Sequence, residues 1–181
     1  MVTLEAAEET RLARYTYRLR VSSTASAALL SEWDRCRWVW NQCVAESRAA
    51  HQANDTCGPA RLDKMLTGWR GEHEWLRQGG SVPQQQIIRD FAKSRAKALK
   101  DIKAKLPIRR RAGMPRFKRK NLSAPTLNYT RRGFRLKDGR LHLAGKIALT
   151  VVWSRPLPAA PTSVRLYRDG LGHWYAVRRA A

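Results

Sequence analysis

Acidic residues are scarce in this sequence. Only 14 of its 181 residues are Asp or Glu, whereas 36 are Lys or Arg, and the formal net charge at pH 7 is +22. A chain with so large an excess of one charge repels itself unless a polyanion neutralises it. The composition therefore predicts a polyanionic partner, with nucleic acid as the first candidate and an anionic membrane surface as the second.

Long apolar runs are also absent. No stretch approaches the roughly 18 apolar residues of a transmembrane helix, and the first ten residues, MVTLEAAEET, lack the apolar stretch of a signal peptide. Three cysteines do not make the paired framework of a secreted domain. Hydrophobic residues nevertheless make up 43% of the chain, including seven Trp, which is too apolar for disorder. We expect a soluble cytoplasmic protein of one domain or two small ones, associated with the nucleoid when bound to DNA and without a membrane partner.

Residue patterns of catalytic and metal sites are missing. There is no Cys-x-x-Cys pair, His-x-x-x-His pair or Gly-x-x-x-x-Gly-Lys phosphate loop. Cys36 and Cys43, seven residues apart, are typical of a helix core. Two-metal nuclease chemistry needs several converging carboxylates, and residues 107–181 contain only Asp138 and Asp169, both in turn patterns. We therefore predict no catalytic residue, no metal site, no cofactor and no small-molecule substrate for this chain.

The basic residues are concentrated in one stretch. Residues 89–120 contain 14 Lys and Arg and only two acidic residues, Asp90 and Asp101. A solvated salt-bridge surface would need both signs interspersed, so this stretch favours contact with a phosphate backbone. The predicted backbone contacts are Arg89, Lys93, Lys97, Lys100, Arg109, Arg110, Arg111, Arg116, Lys118, Arg119 and Lys120.

The hydrophobic pattern changes from helical to strand-like along the chain. Alternation over residues 14–21 predicts a strand, and apolar positions spaced by three and four predict a long helix ending near residue 53. A short helix over 61–69 and a second long helix over 83–105 follow. Short strands are then predicted at 127–131, 134–136, 140–143, 147–153, 163–168 and 174–178, a spacing typical of a small barrel or sandwich. Since the early strand most simply pairs with the later sheet, we predict an α+β fold in which the helices are inserted into a β domain.

The second long helix is amphipathic in an unusual way. Its predicted core stripe consists of Ile88, Phe91, Leu99, Ile102 and Leu106. Four cations, Arg89, Lys93, Lys97 and Lys100, cluster on roughly the opposite face. A line of cations along one helix suits a nucleic-acid backbone.

Several local motifs resemble the TnpB family of transposon-encoded RNA-guided nucleases and the related miniature type V CRISPR effectors. The motifs are YRLR at residues 17–20, CRWVWN at 36–41, QQIIRDF at 85–91, GMPRFK at 113–118 and the hairpin DGRLHLAGKI at 138–147. Ala144 stands where the family usually has proline. The order and spacing of the motifs make residues 14–178 similar to the N-terminal part of the family.

The resemblance implies an architecture and a missing domain. It implies an oligonucleotide-binding-like β-barrel, the wedge domain, formed by residues 1–23 and 112–181 and interrupted by a helical recognition lobe at 24–111. In the family a RuvC-like nuclease domain, where Mg²⁺ is expected, begins just after the last of these strands. Its acidic residues and zinc-ribbon cysteines are absent from this sequence. We therefore expect a fragment or a truncated homologue, without nuclease activity of its own.

The resemblance also implies partners and contact residues. In the family the wedge and recognition lobes hold a guide RNA, and a short DNA motif beside the target is read where the lobes meet. By motif position, Ser81, Gln85 and Thr130 are expected at that duplex. Glutamine is chemically suited to this role because its amide can pair with adenine N6 and N7. For Arg37 and Asn41 we favour bracing of the first long helix over contact with nucleic acid.

Two other functions are consistent with the residues. A free-standing basic DNA-binding regulator would share the charge, although no short helix is predicted before the first long helix to complete a helix-turn-helix. The chain could also be a subunit whose active site is completed by another chain. The leading hypothesis is an RNA-guided DNA-binding module with guide RNA and target double-stranded DNA as its partners.

Overall fold

The computed structural model describes residues 13–180, which form a mixed α/β fold. One strand, β1 (Ala13–Arg20), precedes all the helices. The helices are α1 (Ser23–Gln52), α2 (Pro59–Glu72), α3 (Glu74–Arg77) and α4 (Ser81–Lys103). The remaining strands are β2 (Thr126–Thr130), β3 (Phe134–Lys137), β4 (Arg140–Leu143), β5 (Ile147–Val151), β6 (Ser163–Arg168) and β7 (Trp174–Ala180).

The seven strands make one antiparallel sheet that curves into a nearly closed barrel. Its strand order is β2-β6-β7-β1-β5-β4-β3. The early strand β1 lies between β7 and β5, where Tyr17 is opposite Ala176 and Leu19 is opposite Val151. The predicted pairing of β1 with the later sheet is therefore confirmed, and the helices occupy the chain between β1 and β2.

Alternation along the strands separates the barrel interior from its outer face. Leu127 and Tyr129 of β2 and Val164 and Leu166 of β6 are buried. The residues between them, such as Asn128, point to the opposite side because successive strand side chains alternate. The two faces of this sheet therefore differ in chemistry: the buried face is mainly apolar, with Arg178 of β7 as a buried cation, and the outer face is polar.

Helix α1 forms the centre of the helical part. The side chain of Ser22 caps it by accepting a hydrogen bond from the Ala25 N–H at 3.1 Å. The predicted apolar stripe is confirmed: Leu29, Trp33, Cys36, Trp40 and Cys43 are all buried. The cysteines are free thiols, and burial raises the pKa of Cys43 to about 12, which keeps it protonated and inert at neutral pH.

Three predicted boundaries or faces need correction. In α4, Ile88 and Phe91 are buried as predicted, but Leu99 and Ile102 are 41% and 44% exposed. The last fully buried residue of α4 is Ala98, so the final turns run past the elements that cover the helix. Strand β5 ends at Val151, before the predicted limit at Trp153, and α2 runs from Pro59 to Glu72, beyond both ends of the helix predicted over 61–69. In the part of the chain that the structure describes, no helix has the length and apolarity to cross a membrane.

Candidate nucleic-acid interface

Helix α4 exposes its cations because its apolar side is fixed against α1. Phe91 packs edge-on against Trp40 with ring centroids 5.5 Å apart, and Ile88 is fully buried. At about 100° per residue, Arg89 and Lys93 lie on the side opposite this contact. All four predicted cations of the helix, Arg89, Lys93, Lys97 and Lys100, are exposed.

The arginine turn after α4 continues this charged surface. Residues 108–110 form one turn of 3-10 helix, and Arg109, Arg110 and Arg111 are exposed. Asp101 of α4 accepts a hydrogen bond from the Ala112 N–H at 2.8 Å, which folds the turn back towards the helix. We call the exposed cations at positions 89, 93, 97, 100 and 109–111 the basic ridge. Within residues 13–180, none of these cations lies within 4.0 Å of a carboxylate.

The segment after the ridge is clamped to α1. The Asn41 side chain accepts a hydrogen bond from the Lys118 N–H at 2.8 Å and donates to the Lys118 carbonyl at 3.2 Å. Trp40 donates from its indole N–H to the Arg116 carbonyl at 2.8 Å. Arg37 reaches the Lys118 carbonyl at 3.5 Å. The bracing role expected for Arg37 and Asn41 is confirmed, with the 116–118 backbone as the braced element.

The side chains of this segment differ in their availability. The Lys118 ammonium is half-buried, 4.1 Å from the Trp40 ring centroid and 5.2 Å from that of Trp33. Burial lowers the pKa of Lys118, an effect that nearby Asp90 opposes. Lys118 therefore contributes to packing through cation–π contacts, and its predicted contact with nucleic acid stays a prediction. The side chains of Arg116 and Arg119 are exposed, and exposed Lys120 lies 3.7 Å from Asp34.

Ser81, Gln85 and Arg89 share a face of α4 because they are spaced by four residues. They line an open groove of about 410 Å³ between α4 and α2, which we call the helix groove. Directly behind it, buried Gln84 accepts a hydrogen bond from Arg70 of α2 at 2.7 Å and donates to the Leu76 carbonyl at 2.9 Å. These bonds fix α2 and α3 against the start of α4.

A buried carboxylate fixes the same end of α4 from the α1 side. One oxygen of Glu32 accepts a hydrogen bond from the Gly80 N–H at 3.0 Å, and the other accepts from Arg35 at 2.8 Å. The pKa of Glu32 is raised overall, because the effect of burial exceeds that of the hydrogen bonds from Gly80 and Arg35, which lower the pKa. Gly79 has no room for a side chain, since an added Cβ would lie 2.4 Å from Arg35 Cδ. The start of α4, with Ser81 and Gln85, is therefore held in one position.

Thr130 lies in a different depression from Gln85. It ends β2, opposite Ser163 of β6, and lines an open groove of about 480 Å³ on the outer face of the sheet, which we call the sheet groove. Gln86 and Lys93 of α4 line this groove too. Helix α4 packs against the turn that follows β2, because a Cβ added at Gly133 in this turn would lie 2.9 Å from Val82 Cγ1. The structure thus places Gln85 and Thr130 on adjacent elements but in separate grooves.

The outer face of the sheet carries polar and aromatic side chains that sequence reasoning missed. Arg165 of β6 donates from Nε to Asn128 Oδ1 at 2.9 Å, and Asn128 donates from Nδ2 to Asp90 Oδ2 at 2.7 Å. Beside them, Tyr167 and Tyr175 are stacked with ring centroids 5.3 Å apart. The alternation of SVRLYR in β6 marks Arg165 and Tyr167 as residues of one face. It does not show which strand lies opposite, so the local pattern alone could not assemble this group.

Potential metal ligands do not cluster. Among the described residues, no three His, Cys, Asp or Glu side chains are placed to hold a metal ion. Of the two acids in the basic stretch, Asp90 binds the Asn128 amide and Asp101 binds the Ala112 N–H. Both carboxylates therefore organise the polar surface around them.

Two relatives share sequence with much of this chain. A protein of Streptomyces pristinaespiralis is 29% identical over 167 residues, which cover 89% of this chain and 39% of that protein. A protein of Escherichia coli K12 is 27% identical over 113 residues, 61% of this chain and 26% of that protein. The first is named "Putative RNA-guided DNA endonuclease", and the second has the same name followed by InsQ. The resemblance to the TnpB family is confirmed.

The chain spans about two fifths of the first relative and about a quarter of the second. No protein-family model matches it.

Two of the TnpB-like motifs are joined in the structure, since Trp40 and Asn41 of the 36–41 motif bind the backbone of Arg116 and Lys118 of the 113–118 motif. These motif residues therefore have a structural function: they attach the segment entering the β strands to the first long helix.

Proposed function

We propose that this chain is a nucleic-acid-binding module of an RNA-guided DNA endonuclease of the TnpB type. In this proposal it holds a guide RNA and reads a short duplex motif beside the DNA target. The partners are guide RNA and target double-stranded DNA. The barrel corresponds to the wedge domain and residues 24–111 correspond to the recognition lobe.

The basic ridge is the main structural support for the proposed function. Its cations point to solvent along one side of α4 and the following turn, and no carboxylate of residues 13–180 pairs with them. Aligned unpaired cations on a rigid helix are suited to displacing counterions from a phosphate backbone. The names of the relatives support RNA and DNA as the sources of that backbone.

The duplex motif would be read beside the ridge. Ser81 and Gln85 line the helix groove, and Thr130 lines the sheet groove on the other side of the start of α4. A duplex lying across this end of α4 would meet a hydroxyl and an amide on one side and a second hydroxyl on the other. Hydroxyl and amide groups can donate to and accept from base edges.

Cleavage is assigned to a part of the TnpB-type enzyme outside this chain. Two-metal hydrolysis of DNA needs converging carboxylates. The carboxylates of the basic stretch, Asp90 and Asp101, are each engaged in a hydrogen bond that organises the interface. In this proposal the chain binds and positions nucleic acid, and it does not cut.

The nucleic acid that copurifies with the chain tests the proposal. We expect structured RNA from a bacterial host to be retained through a wash at moderate salt and to give a limited set of sequences. The variant with Lys93, Lys97 and Lys100 all changed to Gln should retain less of it, because up to about three phosphate contacts are lost. Recovery of DNA alone would favour the free-standing DNA-binding regulator, and equal RNA recovery from both proteins would contradict the role of the ridge.

A further inference from the structure

Arg165 is an exposed cation whose orientation is fixed by a side-chain hydrogen bond. It lies on the outer face of β6, directly opposite Asn128 in the register with β2. Its Nε donates to Asn128 Oδ1 at 2.9 Å. A guanidinium is planar with five N–H donors, so one bond through Nε together with the strand position sets the direction of the remaining donors.

Asn128 is itself held from the other side. Its Nδ2 donates to the Asp90 carboxylate at 2.7 Å, a distance typical of a charge-assisted hydrogen bond. Both ends of the amide are thus occupied, and rotating the amide by 180° would place its oxygen against Asp90 and its NH₂ against Arg165. The carboxylate therefore fixes the amide, and the amide fixes the guanidinium.

The two Nη groups of Arg165 are left for a ligand. Within residues 13–180, no carboxylate lies within 4.0 Å of Arg165, and no hydrogen bond from its Nη atoms is formed. The side chain is exposed in the sheet groove, which Arg14, Lys93 and Tyr167 also line. The groove is therefore cationic and open, with its carboxylate, Asp90, bound to Asn128.

We propose that Arg165 is a preset anchor that binds a pair of acceptor atoms on the nucleic acid through its two Nη groups, and that Asn128 is its positioning residue. Two sources offer such a pair: the non-bridging oxygens of a phosphate, and O6 with N7 of a guanine. This inference rests on the proposed nucleic-acid function and adds a contact on the sheet that the TnpB-like motifs do not include.

Binding titrations of the purified chain test the anchor. The probes are a fluorescein-labelled 20-base-pair DNA duplex and a 20-nucleotide RNA, each prepared with guanine and with 7-deazaguanine. We expect Arg165→Gln to weaken binding about 5- to 100-fold, the range for loss of a two-point arginine contact. Arg165→Lys should restore only part of the loss, because an ammonium keeps the charge but lacks the fork. Arg140→Gln, an exposed arginine of β4, is the charge-matched control and should have a smaller effect.

The 7-deazaguanine probes separate the two sources. If Arg165 binds guanine, removing N7 should weaken binding by the wild type and should not weaken it further in Arg165→Gln. If Arg165 binds phosphate, the base change should have no effect, and the loss in Arg165→Gln should be equal on all probes. Either pattern supports the anchor. Equal losses in Arg165→Gln and Arg140→Gln would overturn it.

A double-mutant cycle tests the positioning role of Asn128. Asn128→Ala should weaken binding by a smaller factor, about 3- to 10-fold, and should cause no further loss when Arg165 is already Gln. A merely structural asparagine would give the same loss in both backgrounds, and that result would overturn its positioning role. Failure of the wild type to bind any probe would contradict the proposed function itself, whereas binding without sensitivity to Arg165 would overturn only the anchor.

Discussion

The position of the single residue Gln85 is fixed by buried neighbouring residues. Glu32 binds the Gly80 N–H, Gln84 joins Arg70 to the Leu76 carbonyl, and Gly79 leaves no space for a side chain. These contacts fix the first turn of α4 while Gln85 itself stays exposed. Because this rigid support does not pass through Gln85, its side chain can be changed without disturbing the fold.

Replacing Gln85 tests its predicted role at the duplex motif. Gln85→Ala should lose about 1–3 kcal/mol of discrimination at one base pair, since the amide no longer meets the base edge. RNA affinity should hardly change, because RNA is held mainly through phosphates and shape. The measurement is binding of the RNA complex to matched and motif-mutated duplexes. Equal losses on both duplexes would mean that Gln85 only positions the DNA, and loss of RNA binding would contradict the assignment.

Thr130→Val provides a nearly isosteric comparison for the same experiment. It should act in the same direction as Gln85→Ala but more weakly, since one hydroxyl contact of about 0.5–1.5 kcal/mol is lost. The two residues lie in separate grooves on either side of the start of α4. If only one of the two substitutions changes motif discrimination, the duplex lies over one groove and not across both.

Asn41 joins two elements that are far apart in sequence. Its side chain makes two hydrogen bonds with the Lys118 backbone, and Trp40 binds the Arg116 carbonyl next to it. Asn41→Ala should lower the free energy of unfolding by about 1–3 kcal/mol, because two backbone groups lose their partner. Chemical denaturation measures this loss. Asn121→Ala, at an exposed asparagine, is the matched control and should change stability by less than about 0.5 kcal/mol.

For single helices and strands, hydrophobic periodicity predicted well which side chains are buried. It predicted less well where along the element the packing contacts end. The stripe of α1 from Leu29 to Cys43 and the strand at 14–21 follow directly from spacing and alternation, and both are confirmed. The same rule misassigned Leu99 and Ile102, since a period gives the face of a helix but not the length of the surface that covers it.

The grouping of polar residues in the sheet groove could not be predicted from the sequence. Asn128 and Arg165 are 37 residues apart and meet only through the register of β2 with β6. Asp90 joins them from α4, an element that packs on β2 through tertiary contacts. Local patterns predicted each strand, whereas strand order and helix docking depend on long-range packing. The individual polar residues were visible in the sequence, but their grouping was not.

At the scale of the whole molecule, α4 lies between two polar grooves and carries the cations that border both. Arg89 lines the helix groove and Lys93 lines the sheet groove, with Lys97 and Lys100 farther along the helix. The helix is fixed against α1, so these four cations hold fixed positions along one exposed side of the molecule. We predict that this ridge binds the phosphate backbone of the nucleic acid.

The salt dependence of RNA binding measures how many phosphate contacts the ridge makes. The slope of log K against log salt should be steep for the wild type and smaller by up to about two units when Lys93, Lys97 and Lys100 are changed to Gln, since each contact with a single strand contributes about 0.7. A control variant with Arg135, Lys137 and Arg140 changed to Gln removes the same charge from exposed positions on β3 and β4. We predict that the slope falls in the ridge variant and stays near the wild-type value in the control. An unchanged slope in the ridge variant, or an equal fall in both, would contradict the account.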